Sequence, residues 1–218
     1  MSNPLLDFTA LPHFGQIHAQ HVIPAIETLL AENRQHIKEL LADSNTLYNW
    51  DNLLQPMQEM CDRLSRAWSP VSHLNAVKNS AQIRSAHEHC LPLLSEYHTE
   101  LGQNSTLYKA IKSVAQSDDY KALQPAQKKI IQNKLRDFHL SGIDLDQDKK
   151  ARFKQIKQQL AQLKSHYENN VLDATNAWKK LITDKAQLSG LPDSALAQAK
   201  QTAQTESSEG WLFNLQFP

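Results

Sequence analysis

From Phe153 onward the apolar positions recur at alternating intervals of three and four. Phe153, Ile156, Leu160, Leu163 and Tyr167 therefore line one face of a helix. A partner must cover that face. Continued through Ala174 and Trp178 at the same spacing, the helix would be about 39 Å long at ~1.5 Å per residue and would form the spine of a domain. Asn169, Asn170, Asp173, Thr175 and Asn176 interrupt it with short polar side chains that compete for backbone hydrogen bonds, so propensity alone predicts a helix end among them.

The same period marks further helices upstream. One spans about Ala19 to Ala42 with Ile23, Ile26, Leu30, Ile37 and Leu41 inward, and Pro24 belongs near its start. The next begins near Asp51 with Pro56 in its first turn and carries Leu53, Leu54, Met57, Cys61, Leu64 and Trp68 until Pro70 ends or bends it. Val71 to Lys78 is a short segment, helical or a buried turn. Asn79-Ser80 then caps a helix reaching Leu101, which Pro92 should kink or divide. A shorter helix covers Thr106 to Ala115. Asp118 and Asp119 mark a turn, and a helix from Gln124 to Leu140 turns Ile131, Leu135 and Phe138 inward. Asp146 caps the spine. Beyond Ser189-Gly190, an alanine-rich helix fills Pro192 to Thr205.

Residues 1–18 hold Pro4, Pro12 and Gly15 and little periodicity, so they read as an extended arm whose Leu5, Leu6, Phe8, Leu11 and Phe14 lie against the helices. Residues 19–206 form the helical domain. Residues 207–218 form an apolar tail in which Trp211, Phe213, Leu215 and Phe217 alternate with Leu212, Asn214 and Gln216, the period of a strand with one buried face. An unfinished strand without a partner in its own chain should be mobile or dock on another copy, which would make such self-association a product of truncation. The expected fold class is thus all-α, an array of antiparallel helical hairpins with one long spine helix and a short carboxy-terminal strand. At least about 60% of residues should be helical and strand confined to the final dozen.

Composition narrows the function classes. Lys plus Arg and Asp plus Glu number 23 each, so no net field favours nucleic acid or an anionic membrane. No apolar run approaches the ~20 residues needed to cross a bilayer, and no basic segment precedes an apolar one after Met1, so a cytoplasmic protein is expected. Cys61 and Cys90 stand apart among helix-forming residues and read as reduced structural thiols. Five glycines, at 15, 102, 142, 190 and 210, are too few and too scattered for a phosphate-cradling loop. Gly102, Gly142 and Gly190 read as residues just past helix ends.

Several blocks of sequence are more distinctive than their periodicity. Residues 169–197, NNVLDATNAWKKLITDKAQLSGLPDSALA, resemble the thimet-oligopeptidase family of zinc metallopeptidases. SPVSHLNAVKNS (Ser69 to Ser80), LPLLSEYHTELGQ (Leu91 to Gln103) and AQKKIIQNKLRDFHLSGIDL (Ala126 to Leu145) agree in order, and the opening NPLLDF and closing EGWLFNLQFP fit as well. The resemblance covers essentially the whole chain as an amino-terminal segment. It implies one lobe of a two-part peptidase with a deep channel between mostly helical lobes. This lobe would admit short peptides and exclude folded proteins, while a carboxy-terminal catalytic lobe carries the zinc.

The chemistry such a peptidase needs is His-Glu-x-x-His on a helix, two imidazoles on one face holding zinc with the glutamate as general base. This chain has no such motif. In His87-Glu88-His89-Cys90 the histidines are two apart and point about 200° from each other on a helix, so they cannot share an ion. His18 and His21 are three apart but lack a third ligand nearby. His73 reads as a hydrogen-bonded packing residue, and Asp118-Asp119 and Asp144-Asp146 as turns and caps. Lys149, Lys150, Arg152, Lys154 and Lys157 form a solvated basic face, with an RNA or peptide contact as the other reading. No catalytic, cofactor-binding or metal residue is assigned, and the segment alone is expected to be inactive. The competing reading is a freestanding helical protein-interaction module.

Overall fold

Short polar side chains set three of the helix starts. Ser80 Oγ accepts the Ile83 N–H at 3.2 Å and the Asn104 side chain accepts that of Leu107 at 2.9 Å. The Asp146 carboxylate accepts the Lys149 N–H at 3.1 Å, and Pro125 occupies the first turn of its helix, where its missing N–H has no partner to lose. The structure, a computed structural model, describes residues 3–43 and 45–215. Its helices are α1 (Ala19–Leu40), α2 (Gln55–Val77), α3 (Ala81–Gly102), α4 (Ser105–Gln116), α5 (Asp119–Ala122), α6 (Pro125–Leu140), α7 (Gln147–Ala177) and α8 (Asp193–Thr205). A π turn over Trp50–Leu54 leads into α2. Helix, with the 3₁₀ and π turns included, accounts for 75% of the described residues, which meets the expected minimum.

Pro70, expected to end or bend its helix, and Pro92, expected to kink or divide its own, do not end or divide them. Pro70 lies inside α2 and Pro92 inside α3, and both helices run through. An interior proline costs about 3 kcal/mol. Pro70 is itself buried beside Ala67, Val71 and Leu74, and burying that continuous face offsets the lost backbone bond. Val71 to Val77 is therefore the end of α2, not a separate segment. Likewise α7 passes through its asparagines to Ala177, 31 residues in all. Gly142 and Gly190 take φ of 82° and 94°, as residues past helix ends do. Gly102 is instead the last residue of α3, where a Cβ would come within 2.5 Å of the Ser141 Cβ.

The chain divides into two compact units, one ending at Leu163 and one beginning at Lys164. The first has two apolar clusters. Val22, Ala25, Ile26 and Leu29 of α1 meet Ala67 and Val71 of α2 and Cys90 of α3 in one. In the other, Ile37, Leu53, Leu54 and Met57 meet Leu107, Ile111 and Val114 of α4 and Ile131 and Phe138 of α6. The arm rests on the first cluster through Leu5 and Ile17. Arg66 donates to the Phe8 and Ala10 carbonyls at 2.9 and 3.1 Å, and Arg63 and Arg66 lie over the Phe8 ring. The arm is not uniformly extended, because 3₁₀ turns form at Pro4–Leu6 and Phe14–Gln16. Leu11 does not pack and is 86% exposed.

In the second unit, β1 (Lys179–Ile182) pairs antiparallel with β2 (Trp211–Asn214), Ile182 opposite Trp211 and Lys179 opposite Asn214. This corrects the expectation of an unfinished strand, since the tail finds its partner in its own chain. Strand is accordingly not confined to the final dozen residues. The buried face is also the other one: Leu212 is buried while Trp211 and Phe213 are half-exposed, because Leu212 packs with α8, where Ala199 and Ala203 are buried. Gln216, Phe217 and Pro218, the rest of the expected strand, lie outside the described residues.

Candidate functional site

The first unit contains a cleft of about 500 Å³ between the arm, the start of α1, the end of α2 and the start of α3. Phe14, Ile17, Leu74 and Ile83 supply apolar walls and His18, Lys78, Ser80 and Gln82 a polar rim. That volume lies within the range of small-ligand and peptide clefts. His18 caps α1 in extended conformation and Ser80 caps α3, so two helix starts meet the cleft.

The histidines weighed in the sequence take separate places. The His18 N–H donates to His21 Nδ1 at 3.1 Å and the rings sit 5.6 Å apart, so His21 has one nitrogen committed to the helix start. His73 packs edge-on against Phe14 at 5.6 Å. His87 is buried and stacked on Trp68 at 4.7 Å, whereas His89, two residues on, is exposed. Cys90 is fully buried, and burial pushes its thiol up to about 11, with the Glu27 charge adding to the effect. Cys61 is half-buried, and neither cysteine is in a disulfide.

The carboxylates and cations mostly answer each other. Asp118 pairs with Lys121 at 2.8 Å in an exposed turn, while Asp119 opens α5. Hydrogen bonds from the Lys149 ammonium and backbone hold the Asp146 carboxyl below its usual range. The basic cluster is not wholly solvated. Lys154 bonds Glu96 of α3 at 2.5 Å, which lowers the Glu96 pKa and ties α7 to the helices before it. Lys157 lies over the Phe153 ring at 5.3 Å and Arg152 bonds Gln155 at 3.3 Å.

One constellation has no signature in the sequence. Tyr108 Oη lies 3.3 Å from His139 Nε2, and His139 Nδ1 bonds Asp144 at 2.5 Å. Tyr108 is 31 residues away from His139, so only the α4–α6 packing brings the hydroxyl to the imidazole. His139 and Asp144 are exposed and Tyr108 is half-buried against the second cluster, and what the three do visibly is fasten the end of α6 to α4 and the following turn.

Comparison with known proteins decides the lineage. Residues 26–150, from α1 into α7, match the family model described as neurolysin/thimet oligopeptidase, N-terminal domain. The chain belongs to the thimet oligopeptidase family. It is 48% identical over 218 residues to oligopeptidase A of Haemophilus influenzae and equally so to oligopeptidase A of Escherichia coli, covering 100% of this chain and 32% of each relative. The probable cytosolic oligopeptidase A of Arabidopsis thaliana is 35% identical over 224 residues, again covering 100% of this chain and 32% of the relative. The chain thus spans about a third of the length of the curated relatives it matches.

The zinc implied by membership of the thimet oligopeptidase family does not fit the residues of this segment. Among the described residues no three His, Cys, Asp or Glu side chains are arranged to hold a metal ion. In the His18–His21 pair one nitrogen is engaged by backbone, and His87 and His89 diverge on α3. Nor is any helix of the described residues long and apolar enough to cross a membrane.

Proposed function

We propose that this chain is the amino-terminal helical lobe of a cytoplasmic, zinc-dependent oligopeptidase and that it walls the channel through which short peptides reach the catalytic centre. Zinc and its general base belong to a carboxy-terminal catalytic lobe outside these 218 residues. The observation that carries this reading is the 48% identity along the entire chain to proteins named oligopeptidase A that are about three times as long. The two rigid clusters of the first unit supply what a wall requires, since a face built on packed helices holds its shape against entering chains. Selection then comes from access. An extended peptide threads a channel that a folded protein cannot enter.

The test is a chain joining residues 1–218 to the part of the Haemophilus influenzae relative that lies beyond the matched segment. It is expected to cleave a short quenched peptide and to spare the same sequence displayed within a folded protein. Cleavage of both at similar rates would remove the channel role, and cleavage of neither would remove the oligopeptidase reading.

A further inference from the structure

The cleft of the first unit is chemically one-sided. Ile17, Leu74 and Ile83 belong to the first apolar cluster and turn part of it toward the cleft. Phe14 also lines it and is 44% exposed, held edge-on against His73, so an apolar ring stands open to whatever enters. Lys78 is a lining residue, and among the described residues that line the cleft there is no aspartate or glutamate to answer it.

The polar groups of the rim are uncommitted. Among the described residues the Lys78 ammonium is in no ion pair or hydrogen bond, and the same holds for the side-chain amides of Gln20 and Gln82. The turn that carries Lys78 is nevertheless fixed, because the Asn79 side chain donates to the Asn75 carbonyl at 2.8 Å and accepts from Arg84 at 2.9 Å. The starts of α1 and α3 add partial positive charge, which reinforces the field of Lys78 without being its source.

That combination selects a ligand. A carboxylate beside Lys78 meets a positive field with no competing acid, and an apolar side chain next to it covers Phe14. Free amides such as those of Gln20 and Gln82 donate and accept at once, and so pair with the N–H and C=O groups of a peptide, which a simple hydrocarbon acid lacks. The volume suits a drug-sized ligand, roughly two or three amino-acid residues. We infer that the cleft binds the carboxy-terminal end of a short peptide, its α-carboxylate at Lys78 and its last, apolar side chain against Phe14. The peptide class leans on the reading of this chain as a peptidase lobe, whereas the carboxylate and the apolar side chain rest on the cleft alone.

Methyl NMR spectra of Ile17, Leu74 and Ile83, recorded on residues 1–218 during titration with the tripeptide Ala-Ala-Phe, test the site without any cleavage. Saturable shifts are expected, half-complete below about 1 mM. The tripeptide amide, which lacks the carboxylate, should bind about tenfold more weakly to the parent, and Ala-Ala-Phe about tenfold more weakly to Lys78→Met, an exposed position whose change leaves the unliganded spectrum intact. Equal binding of acid and amide, or of parent and Lys78→Met, overturns the carboxylate assignment, and the absence of saturable shifts overturns the site. 3-Phenylpropionate binding as tightly as the tripeptide overturns the peptide class. The same titration in the joined chain described above, with chelator present to stop cleavage, should give the same shifts, and their loss there assigns the cleft to polypeptide beyond the match and overturns the proposal. Hydrolysis is scored apart, without chelator: a joined chain that cleaves but shows no shifts sinks the cleft alone, and one that shows them yet cleaves nothing sinks the peptidase reading alone.

Discussion

Truncating Ile111 to alanine is expected to destabilise the first unit by about 2–5 kcal/mol, the range for a large aliphatic side chain removed from a packed interior. Ile111 is fully buried, in a cluster with Leu54, Met57, Leu107, Val114, Ile131 and Phe138. These residues come from α2, α4, α6 and the linking turns, so a cavity there cannot close by the shift of a single helix. Urea denaturation measures the loss. Leu11→Ala, at an 86% exposed position, should stay within about 0.5 kcal/mol of the parent. If the two variants prove alike, the second cluster is not a packed core.

Gly210→Ala is the corresponding experiment in the second unit. Gly210 has φ of 119°, a backbone conformation that side chains rarely adopt, and a Cβ there would sit 2.6 Å from the Ile182 carbonyl oxygen. The conformation alone costs about 1–3 kcal/mol, and the collision with β1 adds to it. The neighbouring atom is backbone, so relief requires parting β1 from β2. Hydrogen exchange should show the amides of 179–182 and 211–214 losing protection while α1 to α6 keep theirs. Unchanged protection across the sheet would mean that the approach of Gly210 to Ile182 is not as described.

The helices were legible because their signals are local. Ser80, Pro125 and Asp146 each stand within a residue or two of a helix start, and the inward positions Ile26, Leu30, Ile131 and Phe138 recur at helical spacing. What escaped the sequence depends on contacts far along the chain. Pro70 and Pro92 read as places where a helix ends, bends or divides until the packing on either side is known. β1 is Lys-Lys-Leu-Ile with three of its four residues exposed, so it offers no alternation, and only β2, about thirty residues later, makes it a strand. The same dependence misled the reading of β2, whose bulkier residues suggested the Trp211 face when α8 buries Leu212. The apolar stripe of α7 is the reverse case. Its spacing demanded a covering partner, and within the first unit Leu160 and Leu163 are exposed.

The candidate chemistry was legible chiefly as a missing motif. No His-Glu-x-x-His exists in the sequence, and the fold disperses the histidines that do: His18 and His21 at the start of α1, His73 against Phe14, His87 on Trp68. The Tyr108–His139–Asp144 constellation could not have been found in advance, because the tyrosine joins it only through packing.

Zinc content and peptide hydrolysis of purified residues 1–218, measured together through successive purification steps, test most directly the claim that this lobe shapes access while the chemistry lies elsewhere. The expected result is substoichiometric zinc and no turnover of quenched short peptides. Zinc bound one to one, with hydrolysis that follows the protein through every step and is lost on chelation, would contradict it and place a catalytic centre among the ten histidines of this chain.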